Sequence, residues 1–267
     1  MFLEPIVFGI LQGIFEWLPI SSQGNLVLLM MGFFGYSIKN ALNFSIFLHT
    51  GTLLAAAIYF RNEIKDIFLN LKNYKLDFKT RENKLTSFLL ISTIFTGLIG
   101  FILYKFLIFS AFTGELFLAL IGIALIFTGI IQKFSKSKET KTQENLNLKD
   151  SILVGLFQGL SVIPGISRSG ITISYFLFRN YKAEDSLKLS FLMSIPTVFI
   201  AEIGLQILNN FPTNILYSFL GLIFSFIFGL ISIHALLKLA KKIKFWIFCF
   251  LIGFLALLPL IFSLIKL

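Results

Sequence analysis

Long apolar stretches alternate along this chain with short clusters of cations. No Asp, Glu, Lys or Arg occurs in Asn40–Phe60, Leu85–Tyr104, Leu116–Gln132, Ile203–Leu237 or Phe245–Ile265. A hydrocarbon core of about 30 Å takes about 20 helical residues to cross. The pattern therefore predicts crossing helices over 41–60, 86–108, 112–133, 187–208, 213–237 and 245–264. The sequence Asn209-Asn210-Phe211-Pro212 marks a turn inside the longest stretch. Lys and Arg gather in the segments Arg61–Lys84, Lys133–Lys149 and Lys238–Lys244, and the positive-inside rule puts all three in the cytoplasm. The first three crossings then run inward, outward and inward, and the last three outward, inward and outward. Segments 2–36 and 151–180 must each enter and leave on one side.

Those two segments are alike. GILQGIFEWLPISSQGN runs from Gly9 to Asn25 and GLFQGLSVIPGISRSG from Gly155 to Gly170. In each, a Gln-Gly pair (Gln12-Gly13, Gln158-Gly159) stands twelve residues before a Gly (Gly24, Gly170), and a Pro precedes a Ser-rich turn. A second likeness, FLHTGTLLAA from Phe47 and FLMSIPTVFIA from Phe191, follows at nearly the same distance. Two matches in register point to an internal duplication. Repeat one spans about 1–133, a basic cytoplasmic linker 134–150, and repeat two about 151–264, within a single membrane domain. Each repeat is a hairpin followed by three crossings. Three is odd, so the second copy is expected upside down relative to the first, an arrangement that places sites near the bilayer midplane. The fold class is an all-α integral membrane protein, a polytopic helical bundle of two inverted-topology repeats. The arms of the second hairpin, about 13 residues each, would reach about 20 Å and turn back within the membrane. The first hairpin is expected to have longer arms and to reach further.

Composition agrees: 57% of residues are hydrophobic and 13% charged, outside the soluble range. The net charge of +10 lies mainly in the short loops, which makes it a topology signal and not a nucleic-acid patch. Cys249, a single cysteine in the last apolar stretch, offers neither a disulfide nor metal-ligand spacing and reads as packing. Glu4-Pro5 stands where a removed signal peptide would have a basic start, so Met1 onward is expected to be the mature chain.

Charge inside a bilayer is costly and usually marks function. Glu16 falls at the turn of hairpin one, beside Pro19, Ser21, Ser22, Gln23, Gly24 and Asn25; Arg168 falls at the turn of hairpin two, between Ser167 and Ser169. Inverted repeats would bring these tips together. A structural ion pair with Ser and Gly allowing close packing is the alternative. The local chemistry favours a site, because a Gly- and Ser-rich turn opening a helix presents N–H and O–H donors to phosphate oxygens. Arg adds a planar fork for the same oxygens. Neither a phosphate loop nor a dinucleotide glycine pattern is present, which points to an anion carried on a lipid head group.

At these residues the chain resembles the undecaprenyl-diphosphate phosphatase, or bacitracin-resistance, family. The matching motifs are QGIFEWLPISSQGN (12–25), with Gln12 and Glu16 four apart, and PGISRSG (164–170). Length, hydropathy outline and FLHTGTLLA extend the resemblance over essentially the whole chain. It implies hydrolysis of a polyprenyl diphosphate to the monophosphate in the plasma (inner) membrane, at a site facing the outer side, with a divalent cation (Mg2+ or Ca2+). It implies Glu16 as acid/base or metal-binding carboxylate, Ser22 as nucleophile or phosphate ligand, and Arg168 as phosphate clamp. Gln12, Ser21, Gln23, Gly24, Asn25, Ser167, Ser169 and Gly170 would line the phosphate site. Two departures stand out. The first acidic position of the motif is Gln12, and the His that many members carry after the Ser-Ser turn is Asn25, so a histidine mechanism at that place does not transfer. Attack by Ser22 assisted by Glu16, and attack by a Glu16-oriented water, both remain.

His49, alone on an apolar helix, reads as a packing residue. Glu202 is embedded without a motif and ranks below Glu16, and His234 reads as interfacial near the basic end of its helix. A transporter or flippase for an anionic polyprenyl lipid is the competing function, since inverted repeats also build transporters. A pure scaffold leaves Glu16 and Arg168 without a purpose. Prenyl chain length and oligomeric state are not encoded legibly.

Overall fold

A computed structural model of the protein describes residues 3–109, 114–135, 140–208, 215–239 and 245–265. Among the described residues the architecture is helical, without a strand; one isolated bridge joins Lys141 and Tyr181. Eleven α-helices follow one another: α1 Leu3–Phe15, α2 Ser22–Phe34, α3 Ile38–Tyr59, α4 Arg61–Asn70, α5 Arg81–Phe109, α6 Gly114–Phe134, α7 Leu148–Gly159, α8 Arg168–Phe178, α9 Ala183–Leu208, α10 Ile215–Leu239 and α11 Phe245–Ile265. Five of them, α3, α5, α6, α9 and α10, are long and apolar enough to cross a bilayer. Helix α11 occupies the sixth expected crossing. The expected turn at 209–212 and the cations at 241–244 lie outside the described residues.

Each expected hairpin is a pair of short helices, α1 with α2 and α7 with α8. Their lengths are 13, 13, 12 and 11 residues. At the helical rise these arms span about 17–20 Å, too short for a hydrocarbon core of about 30 Å. The longer arms expected for hairpin one are not found. Gly35, left-handed at φ 68°, caps α2 by donating its N–H to the Met30 carbonyl, and the chain turns there into Ser37 and α3. A second departure lies in the basic stretch after α3, expected as loop, which carries the surface helix α4.

Packing pairs the two halves crosswise. Helix α1 lies along α10 and α7 along α5, while α3 packs on α10 and α9, and α6 on α11. Gly9 of α1 and Gly155 of α7 hold equivalent places in the duplicated motif. A Cβ on Gly9 would stand 2.3 Å from the Gly221 carbonyl oxygen, and one on Gly155 would stand 2.6 Å from that of Ser92. Both therefore let a short helix press against the backbone of a long one in the other half.

The interior has two apolar clusters. Trp17, Phe88, Phe176, Tyr181 and Phe191 anchor one, and Phe8, Leu26, Met30, Leu48, Ile121 and Leu125 the other. Outward-facing large side chains such as Phe101, Ile123, Ile200, Phe219, Ile231 and Phe254 are exposed, which suits lipid and would be untenable in water on this scale. Below the second hairpin, Asp150 in the first turn of α7 is fully buried and tied off by neighbours. It accepts hydrogen bonds from Tyr175 Oη (2.8 Å), Arg179 Nε (2.8 Å), Tyr181 Oη (2.8 Å) and Asn147 Nδ2 (2.8 Å). Burial alone would raise this carboxyl, but the bonds from Arg179, Tyr181 and Tyr175 reverse that and hold it below the usual carboxylate range.

Candidate active site at the tips of the two hairpins

The tips meet glycine against glycine. Gly165 sits at φ 99°, where side chains are strained, and a Cβ there would reach within 2.5 Å of the Ile121 carbonyl oxygen. Gly24 abuts it, with an added Cβ only 2.9 Å from Gly165 Cα. This contact sets the starts of α2 and α8 side by side.

Both helices open on a serine cap at equivalent positions of the repeat. Ser21 Oγ accepts from the Gly24 N–H (3.3 Å) and Ser167 Oγ from the Gly170 N–H (3.0 Å). The residue after each cap is the first of its helix, Ser22 in one half and Arg168 in the other. A hydroxyl and a guanidinium thus stand at matching positions of the two similar motifs, and both face Glu16. Ser22 Oγ donates to Glu16 Oε2 at 2.6 Å, and Arg168 Nη2 to Glu16 Oε1 at 2.6 Å. Gln12, one helical turn earlier, donates its Nε2 to Oε2 at 2.9 Å. Glu16 is 6% exposed and Gln12 fully buried. The three residues expected to carry the chemistry, Glu16, Ser22 and Arg168, therefore share one buried cluster.

The other expected phosphate-site residues divide differently. Besides capping, Ser167 Oγ meets Ser169 Oγ at 3.2 Å, and Ser169 Oγ donates to the Leu18 carbonyl at 2.9 Å, stitching hairpin two to hairpin one. Asn25 Nδ2 donates to the carbonyls of Ile20 (2.6 Å) and Ser21 (2.9 Å) and so holds the first tip closed. Gln132 of α6 donates to the Pro19 carbonyl from outside the hairpin. Cys249 packs buried beside the same carbonyl. Gln23 is half-buried. Ser21, Asn25, Ser167 and Ser169 thus shape the tips, while Gly24 and Gly170 give their amides to the caps.

One participant departs from its sequence reading. His49 of α3 is not a bystander in the packing: its Nε2 lies 3.2 Å from Glu16 Oε2, and its Nδ1 lies 2.7 Å from the Ser45 carbonyl oxygen. No local motif announces it, because the partner is 33 positions away and reaches it only through the fold of hairpin one. Glu202 of α9 is buried near by and accepts from Thr50 Oγ1 at 3.2 Å. His234 is exposed beside Tyr59 at the far end of α3.

Three buried polar atoms around this cluster have no protein partner: Arg168 Nη1, Trp17 Nε1 and Gln12 Oε1. The guanidinium carbon stands 5.9 Å from the centre of the Trp17 ring. Two of the three are donors, which is what an incoming oxyanion needs. A resident divalent cation fits less well. Both oxygens of Glu16 already have partners, the donors Ser22, Gln12 and Arg168 and the ring of His49, and no group of three His, Cys, Asp or Glu side chains able to hold a metal occurs among the described residues.

The family described as "Bacitracin resistance protein BacA" matches residues 5–258. The chain is 44% identical over 260 residues to a protein of Methanococcoides burtonii named undecaprenyl-diphosphatase, covering 96% of this chain and 97% of that one. Proteins with the same name from Methanothrix thermoacetophila (39% identical; 96% and 95% covered) and Haloarcula marismortui (35%; 94% and 94%) are similar over the same span.

Proposed function

Since the chain belongs to the bacitracin resistance protein BacA family, we propose that it hydrolyses undecaprenyl diphosphate to the monophosphate and inorganic phosphate. The observation that carries this reading is the 2.6 Å hydrogen bond from Ser22 Oγ to a carboxylate whose other oxygen holds Arg168. A hydroxyl bonded to a buried carboxylate is a nucleophile with its base in place. In the first step Ser22 Oγ bonds to the terminal phosphorus, the bridging P–O bond breaks, and the hydroxyl proton passes to Glu16 Oε2. The lipid leaves as its monophosphate. In the second step a water bonds to the phosphorus, the P–Oγ bond breaks, and Ser22 Oγ takes back the proton that Glu16 held; both hydrogens of the water leave on the inorganic phosphate, and Glu16 is ionised again. Arg168, with Nη1 free, takes the charge that spreads over the transferred phosphoryl oxygens. No step is assigned to a resident metal; Mg2+ or Ca2+ accompanying the substrate would be bound to the diphosphate itself.

The two halves are further proposed to be inverted in the membrane. The crosswise packing of α1 on α10 and α7 on α5 supports this. The cation clusters support a plasma-membrane orientation with those loops inside and the hairpin tips open to the outer side. A transporter would need the cationic half of this cluster and would have no use for the serine on its carboxylate. The test is phosphate release by purified protein from a short-chain prenyl diphosphate, with and without chelator. Release by the wild type and none by Glu16→Gln supports the reading; a wild type that binds the lipid without releasing phosphate contradicts it.

A further inference from the structure

His49 has a place in this cluster that its lone position in the sequence does not suggest. Its Nδ1 faces a backbone carbonyl at 2.7 Å, and a carbonyl can only accept. Nδ1 therefore carries hydrogen. Its Nε2 faces Glu16 Oε2 at 3.2 Å. That oxygen already receives Ser22 Oγ and Gln12 Nε2, while Arg168 occupies the other oxygen, so Glu16 is surrounded by donors and is a carboxylate. A bare Nε2 lone pair against it would be repulsive, and the contact calls for a second hydrogen on the ring. Glu202 of α9 adds another negative charge acting on this ring, and the ring is largely enclosed, its side chain 16% exposed.

We infer that His49 is a doubly protonated positioning residue, which keeps Glu16 ionised and its Oε2 aimed at Ser22 once Arg168 engages the diphosphate. The inference rests on the hydrolytic reading and deepens it. In the free protein Arg168 and His49 flank one carboxylate from opposite hairpin and helix. When a terminal phosphate arrives, Arg168 offers it the unpartnered Nη1, and the one guanidinium charge is then shared between the phosphate and Glu16 Oε1. Without a second cation the buried carboxylate would then be left undercompensated and free to rotate or take up a proton. His49, tethered to Ser45 at its far nitrogen, does not depend on the substrate. It leaves the proton transfer itself to the Ser22–Glu16 bond and touches no reacting atom.

A residue of this kind acts on the chemical step more than on binding. In the whole purified protein, His49→Leu is expected to lower kcat by about 10²-fold with KM within about 3-fold, as for loss of one preorganised charged donor. His49→Gln keeps an N–H at the Nε2 position and is expected to recover kcat to within about tenfold of wild type. The ring is read independently by nitrogen NMR of protein labelled in histidine, with His234→Asn leaving His49 as the one remaining signal. Both ring nitrogens should be protonated at neutral pH, and Glu16→Gln should return the ring to a neutral form. A neutral ring in wild type, or a folded His49→Leu protein with wild-type kcat, would overturn the inference. A wild type that releases no phosphate while its ring is doubly protonated would instead sink the hydrolytic reading and leave the ion pair standing.

Discussion

Arg168 and a lysine would bring the same charge to the tip of hairpin two, yet the site uses the shape of the group as well as its charge. One guanidinium nitrogen, Nη2, is committed to Glu16 at 2.6 Å while Nη1 stays unpartnered, and the plane lies near the Trp17 ring. A lysine offers one ammonium to both tasks. Arg168→Lys is therefore expected to keep the fold and to lose about 10²–10³-fold in kcat/KM, as expected for removal of a transition-state donor. A folded Lys variant with wild-type turnover would reduce Arg168 to a counter-ion. At this scale the sequence was informative wherever residues lay close together along the chain. Glu16 and Ser22 are six apart, and Arg168 stands between two serines in a turn. His49 was misread because its partner is assigned by tertiary packing alone, and a single His on an apolar helix carries no periodic or motif signal. The cap serines have a role that the motif did not announce. Ser21 and Ser167, expected as phosphate donors, also cap their own helices, each Oγ accepting from the amide three residues on.

At the scale of elements, the crossings were legible because apolar length is a physical requirement of the bilayer, and α3, α5, α6, α9 and α10 lie close to their expected places. The amphipathic surface helix α4 was not, since a basic polar stretch of ten residues has no bilayer constraint to distinguish it from loop. Nor was the anchorage of hairpin two to the linker, which depends on Asp150 collecting Tyr175, Arg179 and Tyr181 from α8 and the turn beyond it. Asp150→Asn leaves those donors facing a neutral amide. The expected cost is about 2 kcal/mol, discounted from a fully buried pair because the Arg179 side chain is one-third exposed. The folded Asp150 carboxyl is held below its unfolded value, so its contribution is complete above an unfolded pKa of about 3.9 and fades as pH falls through the lower folded value. Thermal unfolding in detergent should show wild type losing part of its advantage over Asp150→Asn below about pH 4. A constant difference across that range would mean that the carboxylate charge is not what ties the hairpin down.

Over the whole molecule, two short hairpins join two sets of three long helices, and Glu16, Ser22 and Arg168 meet where the hairpin tips touch at Gly24 and Gly165. The similar motifs make matching stations, Ser21 with Ser167 and Ser22 with Arg168, and the second station differs between the halves, a hydroxyl in one and a guanidinium in the other. Orientation follows from the cations. Cysteines placed at Lys75 or Lys141 are expected to resist an impermeant thiol reagent in intact cells and to react once the membrane is opened, with buried Cys249 as the native background. Labelling of either from outside would break the inverted arrangement. Whether the bond between Ser22 and Glu16 activates a nucleophile is read most directly by single-turnover rapid quench with substrate labelled in its terminal phosphorus. Label is expected on the protein, mapped to Ser22, with Ser22→Ala slowed on the order of 10⁴-fold or more while still binding the lipid. No protein-bound label at any quench time, together with substantial turnover by Ser22→Ala, would contradict a serine nucleophile and leave a water activated by Glu16.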